Sequence, residues 1–148
     1  MPQHIGIVGC SAEGAALCYR TICVDGSQLM GPHDHPEVSM HTHSLADYMV
    51  RIYRGDWAGV AELMLSSAEK LARIGATFLI CPDNTIHQAL PYIAERSPLP
   101  WLHIAEAVAA QADERCASAP VSSSRTISST VRAVEAMGAV HGAQPSER

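Results

Sequence analysis

Short unbroken apolar runs alternate along this chain with longer stretches whose apolar residues recur every three to four positions. Ile5-Gly6-Ile7-Val8-Gly9 is β-rich and ends at glycine, which predicts a first strand. Ser11 then stands as the N-cap of a helix from about Ala12 to Cys23, with Glu13 in its first turn and Asp25-Gly26 as its stop. Residues 27 to 36 hold Gly31-Pro32 and Pro36 and read as loop. Val38-Ser39-Met40-His41 predicts a second strand, followed by a helix from Ser44 to about Arg54. The clearest helix comes next: Asp56 caps it, Val60, Leu63, Met64, Ala68, Leu71 and Ala72 line one face, and Gly75 ends it. A strand from Thr77 to Ile80, a helix from about Asn84 to Ala94, a proline turn at Ser97-Pro98-Leu99-Pro100, a strand at Trp101-Leu102-His103 and a helix from Ile104 to Glu114 complete the pattern.

Strands that alternate with helices pair in parallel through right-handed crossovers. Phe78-Leu79-Ile80 lacks polar alternation, as a strand covered on both faces should. The expected class is α/β, a parallel sheet flanked by helices. Composition then shifts. Residues 116 to 148 are rich in Ser, Ala and Thr, and only Val131 to Met137 could form a short amphipathic helix. The expected domain runs from residue 1 to 115, with an irregular or disordered Ser-rich tail over 116–148.

The chain has 148 residues, one domain's length, with 47% hydrophobic and 17% charged residues and a formal charge of −5. It shows no basic stripe, and its aromatic content of 5% is too low for base-stacking platforms, so no nucleic-acid partner is expected. No run approaches the ~18 apolar residues of a membrane span, and no basic n-region precedes the first strand. Five scattered cysteines, an odd number, argue for reduced thiols. The expectation is a cytoplasmic protein without a membrane partner.

Candidate chemistry gathers where the third strand ends. Cys81-Pro82-Asp83-Asn84-Thr85-Ile86-His87 offers acid, amide, hydroxyl and imidazole groups within a few residues. In open α/β sheets, ligands bind just beyond the carboxyl ends of the strands. Gly9-Cys10-Ser11 is a strand-to-helix turn whose amides could hold an anion, although it lacks the GxGxxG spacing of a dinucleotide site. His33, His35, His41 and His43 match no common zinc spacing, so no metal is expected. Thr42 and His43 read instead as cleft-lining residues. The plainer reading of Asp83 is a cap for the helix that starts at Asn84.

Several segments together resemble the N-terminal half of the aspartate/glutamate racemase family, within the Asp/Glu/hydantoin racemase superfamily. They are IGIVGCSAEGAA at the start, HPEVSMHTH at 35–43, GDWAGVAELMLSSAEKLARIGATFLICPDNTIH at 55–87 and LHIAEA at 102–107. The resemblance implies a cofactor-independent racemase of two similar α/β lobes with its active site in the cleft between them. One cysteine from each lobe would remove or return the α-proton. It also implies that Asn84, Thr85 and the Gly9-Cys10-Ser11 turn bind the substrate carboxylate, with His87 beside them. Two departures stand out. Asp83 occupies the place of the first catalytic cysteine, and the second lobe's Gly-Cys-Thr-Glu motif does not occur in these 148 residues.

A carboxylate is ordinarily a far weaker base than a thiolate (unperturbed pKa ~3.9 against ~8.5), and it places negative charge beside an anionic substrate. The expected protein is therefore a PLP-independent racemase of aspartate or glutamate in a truncated, weakly active or inactive form, acting through Asp83 and requiring no cofactor. The alternatives are a non-catalytic carboxylate-binding module and a related decarboxylase or isomerase using one-sided proton transfer. The expected partner is a small amino acid or other α-carboxylate. A face left for the second lobe could also support a homo-oligomer. The abrupt Ser-rich end suggests a shifted reading frame or an abnormal terminus.

Overall fold

The computed structural model describes residues 3–103. They form β1 (His4–Gly9), α1 (Ala12–Met30), β2 (Glu37–Thr42), α2 (Leu45–Tyr53), α3 (Trp57–Arg73), β3 (Phe78–Ile80), a 3₁₀ helix (Asn84–Tyr92) and β4 (Trp101–Leu102). All neighbouring strands pair in parallel, in the order β2-β1-β3-β4. His4 pairs with Glu37 and Gly9 with Thr42 along one side of β1, and Ile5 pairs with Phe78 along the other. The α/β class is as expected.

This order decides where a site can form. From β1 the chain crosses outward through α1 to β2. It then returns through α2 and α3 to β3, on the other side of β1. With right-handed crossovers, α1 lies on one face of the sheet and α3 on the opposite face. The turns after β1 and β3 therefore diverge and leave a crevice at the carboxyl ends, the topological switch point of such sheets.

The larger core lies between the sheet and α3. Val60, Ala61, Met64, Leu65, Ala68 and Leu71 form the buried stripe of that helix, and they pack with Val8, Leu79, Ile86, Ala89 and Ile93. The helix starts because Asp56 accepts the Gly59 amide at 2.8 Å. It ends where Gly75 takes φ +96°, a conformation open to glycine. On the other face, α1 buries Ala15, Ile22 and Gly26.

Two expected boundaries are corrected. The first helix does not stop at Asp25-Gly26 but runs on to Met30, and Gly31, at φ +128°, ends it. Gly26 is buried in the helix because a Cβ there would stand 2.9 Å from the His35 Cβ and 3.1 Å from its Cα. Its glycine serves close packing against the loop into β2. The segment after Asp83 is a 3₁₀ helix ending at Tyr92, where an α-helix to Ala94 was expected. Pro91 lies inside it, lacks an amide donor, and in an α-helix would press on the carbonyl four residues back. The expected helix at 104–114, the domain end at 115 and the Ser-rich tail at 116–148 lie outside the described residues.

Candidate active site

β1 and β3 are neighbours in the sheet, so the turns that follow them face each other across the switch point. Asp83 spans that gap. Its Oδ2 accepts the backbone amides of Cys10 (3.0 Å) and Ser11 (3.2 Å), and the Ser11 hydroxyl donates to its Oδ1. Ser11 Oγ in turn accepts the Gly14 amide at 3.1 Å, which caps α1. The carboxylate thus sits on the N-terminus of α1, where orphan amides and the helix dipole both favour negative charge. It makes no capping bond to the 3₁₀ helix that begins at Asn84, so the plain local-cap reading is corrected. The cap it supplies belongs to another helix, 72 residues away in sequence.

Gly9 makes the approach possible. A Cβ there would stand 2.5 Å from Thr42 Cγ2 and 2.9 Å from Ala15 Cβ, so a side chain would force β2 and α1 away from the turn. Gly14 keeps the other flank open, since its Cβ would lie 3.1 Å from Asp83 Oδ1.

Three thiols surround this carboxylate, and all are held protonated. Burial pushes the Cys10 thiol up to about 11, with the Asp83 charge adding to it, and Cys18 is raised to about 11 for the same reasons in the same order. Cys81 is raised further, mainly by near-complete burial. Its Sγ lies 3.7 Å from the Asp83 carbonyl. A thiolate base is therefore not available here near neutral pH.

His87 donates from Nε2 to the Cys81 carbonyl at 2.9 Å, and its ring meets His103 edge-on at 4.6 Å between centroids. Burial, chiefly, lowers the His87 pKa, so the ring is a neutral donor that fixes the end of β3. Asn84 and Thr85 are exposed, and among the described residues neither side chain makes a hydrogen bond; the Thr85 carbonyl accepts from Gln88 Nε2 at 3.4 Å. Their amide and hydroxyl groups are free to meet a ligand. Thr42 ends β2 and packs its methyl on Gly9. His43 lies beside His41, ring centroids 4.9 Å apart, and faces the α3 side, where Lys70 contributes after burial to lowering its pKa. The structure thus brings Gly9, Cys10, Ser11, Asp83 and His87 into one cluster with Asn84 and Thr85 at its rim. His43, next to Thr42 in sequence, has Lys70, Asp47 and Arg51 as its charged neighbours.

One buried polar side chain has no counterpart in the sequence reading. Tyr48, on α2, is fully buried, and its hydroxyl turns toward Ser67 of α3. Burial raises its pKa well above the ordinary phenol value, and the hydrogen bond with Ser67 opposes the shift. The sequence signal for it is slight: a tyrosine within an amphipathic helix. Among the described residues, no cluster of three or more His, Cys, Asp or Glu side chains is arranged to hold a metal. No described helix is long and apolar enough to cross a membrane.

A parallel sheet with its polar groups collected at the switch point defines an α/β lobe, one of the two-lobed racemase-like type. The chain belongs to the Asp/Glu/hydantoin racemase family, whose model matches residues 6–141. It is similar to the crystal structure of a candidate Asp/Glu racemase from Yersinia pestis, at 26% identity and a TM-score of 0.73, covering 77% of this chain and 50% of that one. It also shares its fold with an aspartate racemase homologue from Pyrococcus horikoshii OT3, at 22% identity and a TM-score of 0.67, covering 78% of this chain and 50% of that one. The chain spans about half the length of these solved structures.

Proposed function

We propose that residues 4–103 supply the carboxylate-binding and first proton-transfer half of a racemase-type site for small acidic α-amino acids, with Asp83 where the family resemblance places a cysteine. The supporting observation is the contact between Asp83 and the Cys10 and Ser11 amides, which joins the proton-transfer position to the carboxylate-binding turn. Asn84 and Thr85, exposed at the rim, complete the polar surface. In this reading the Asp83 carboxylate takes the α-proton. The Cα–H bond breaks, its electron pair delocalises into the substrate carboxylate, and Asp83 becomes the neutral acid. Inversion then needs a proton donor on the opposite face. The lobe alone can return the proton only to the face it left, which exchanges hydrogen without changing the hand.

A second reading is a binding module without chemistry. It is favoured by the fact that both Asp83 oxygens already accept hydrogen bonds. Incubation in deuterated water with each enantiomer of aspartate and glutamate, followed by proton NMR, separates the two. Slow α-deuteration of one enantiomer with retention, abolished in Asp83→Ala, is the result expected of a half-site. Binding without exchange by either enantiomer would leave only the module. Absence of binding by any of the four at tens of millimolar, roughly the weak end for small ligands, would remove both.

A further inference from the structure

We propose that β2 is a docking edge for a second copy of this chain: two β2 strands pair antiparallel about a two-fold axis at Ser39. The inference goes beyond the proposed function and does not depend on it. Its surface is the open edge of the sheet, not the crevice at the carboxyl ends.

The backbone of β2 is arranged for such pairing. β2 and β4 are the two edges of the sheet. β4 has two residues and follows Pro98 and Pro100, so it offers little to another strand. β2 has six residues, pairs one-to-one with β1 from Glu37 to Thr42, and carries no proline, lysine or bulge to deter a neighbour. The direction of its free groups follows from the register. The Leu79 amide donates to the Pro100 carbonyl at 2.9 Å, on the β4 side, so Leu79 faces away from β1. In a parallel ladder the partner of a residue that faces away faces in. Gly6 therefore faces β3, and its neighbours Ile5 and Ile7 face β2. Their partners Val38 and Met40 turn their amides and carbonyls to the open edge. Among the described residues no hydrogen bond beyond the ladder reaches those groups.

The side chains of β2 complement themselves in one register. Gly9 lies against Thr42 and Ala15, so Thr42, Met40 and Val38 share the α1 face. His41 meets Ser67 and Lys70, so Glu37, Ser39 and His41 share the α3 face. An antiparallel pair centred on Ser39 sets Val38 opposite Met40 of the second copy, where two outward-facing residues exchange both backbone bonds. Val38 is half-buried and Met40 is 48% exposed, so this pair closes apolar surface that the lone lobe leaves in water. On the other face Glu37 stands opposite His41 of the second copy, at the close spacing of a non-hydrogen-bonded pair. Lys70 Nζ lies 3.0 Å from His41 Nε2 and, among the described residues, pairs with no carboxylate. The Glu37 side chain is 71% exposed and meets only His4, at 3.7 Å. Each copy thus offers the acid that the other's Lys70 lacks, and the two-fold makes the match reciprocal. An axis at Met40 would instead set Ser39 opposite His41 and Val38 opposite Thr42, losing both matches. Because the joined strands run antiparallel, the two carboxyl-end crevices open in opposite directions, and neither borrows a residue from the other copy.

The test uses the full 148-residue chain. Sedimentation equilibrium at up to about 1 mM, the weak end of specific association, should show a reversible equilibrium of monomer and dimer. Met40→Pro removes an outward amide that no bond within the chain uses. It should keep the circular-dichroism spectrum and cooperative unfolding of the wild type while losing the dimer. Glu37→Lys, at an exposed side chain, should weaken the dimer by about tenfold or more at low salt, and less in about 0.5 M salt. It decides the matter if Met40→Pro does not fold. Adding Lys70→Glu to Glu37→Lys should restore part of the loss. Under mild oxidation Ser39→Cys should form a disulfide between position 39 of the two copies, identified by peptide mass spectrometry. A chain that stays monomeric throughout would overturn the proposal and leave the edge to an extended segment of another protein. A dimer that survives both Met40→Pro and Glu37→Lys would overturn it too, by putting the interface elsewhere. Dimers in which position 39 cross-links only to native cysteines would overturn the register, and with it the match of Glu37 to Lys70.

Discussion

Replacing Asp83 by alanine should cost this fold more stability than any role as a solvent-facing catalytic side chain would explain. The change strips the acceptor from three donors at once: the Cys10 amide, the Ser11 amide and the Ser11 hydroxyl. A hydrogen bond to a charged group contributes about 1.5–3 kcal/mol when well buried. Water reaches part of this crevice, so about 1 kcal/mol for each is the safer figure. Loss of a negative charge at a helix N-terminus adds about 0.3–1 kcal/mol. The sum is about 3–4 kcal/mol, a large share of a typical stability of roughly 5–15 kcal/mol. With a urea dependence of about 1.5 kcal/mol per molar, the unfolding midpoint should fall by about 2 M. Asp83→Asn keeps an acceptor oxygen for the amides and loses mainly the charge, so it should cost about 1 kcal/mol. Urea unfolding followed by circular dichroism measures both against Asn84→Ala, an exposed neighbour whose removal should stay within about 0.5 kcal/mol. If Asp83→Ala falls no further than Asn84→Ala, the carboxylate does not hold α1 to β3, and any competition between Asp83 and substrate loses its basis.

Three more outcomes follow from the same structure. Alkylation of Cys10 by iodoacetamide, tracked by peptide mass spectrometry, should keep accelerating above pH 9 toward about 11, whereas in urea the thiol should follow its ordinary titration. Because the folded value is raised, the stabilisation from this thiol is complete below its unfolded value and is lost as pH rises toward about 11; Asp83→Asn should lower that midpoint only in part, since burial is the larger cause. Gly26→Ala gains about 0.5–1 kcal/mol of helix propensity but meets the His35 backbone. Overpacking of this kind costs about 1–3 kcal/mol, so a net loss near 1 kcal/mol is expected in denaturant titration, and a gain would contradict the close packing. Gly9→Ala should displace the Cys10-Ser11 turn from Thr42 and Ala15, visible as altered shifts of both amides together with a lower urea midpoint.

What could be read beforehand was what repeats locally. Val60, Met64, Ala68 and Leu71 recur on one helical face, and Phe78-Leu79-Ile80 is apolar throughout, so α3 and β3 were legible without neighbours. Gly26 misleads because a glycine that ends a helix and one that lets a loop pack closely look alike in one dimension. The contact that distinguishes them comes from His35, beyond the helix. The site divides in the same way. Asp83, Asn84, Thr85 and His87 stand together in sequence and announce themselves, and the Gly9-Cys10-Ser11 turn does so too. That Asp83 belongs to the second of these groups, as the cap of α1, follows only once β1 and β3 are known to be neighbours. Tyr48 is hidden because its neighbour Ser67 lies 19 residues on, in the next helix, and only the packing of α2 on α3 brings the two together.

An aspartate in place of a thiol changes more than the strength of a base in this fold. A protonated cysteine at that position would leave the α1 amides open, and a substrate carboxylate could settle on them unopposed. Asp83 brings to the same place the functional group that the amides are built to bind, and on a short tether, which raises its effective concentration there to the millimolar range or above. The lobe therefore holds its own competitor. The surrounding thiols offer no alternative base, since Cys10, Cys18 and Cys81 are all driven toward the neutral form by burial, with the Asp83 charge adding to the effect at Cys10 and Cys18. In the proposed reading, ligand binding and proton transfer both depend on one side chain that cannot serve both from the same position. A lobe of this kind either uses Asp83 as a fixed strut and does no chemistry, or has a second place to put it.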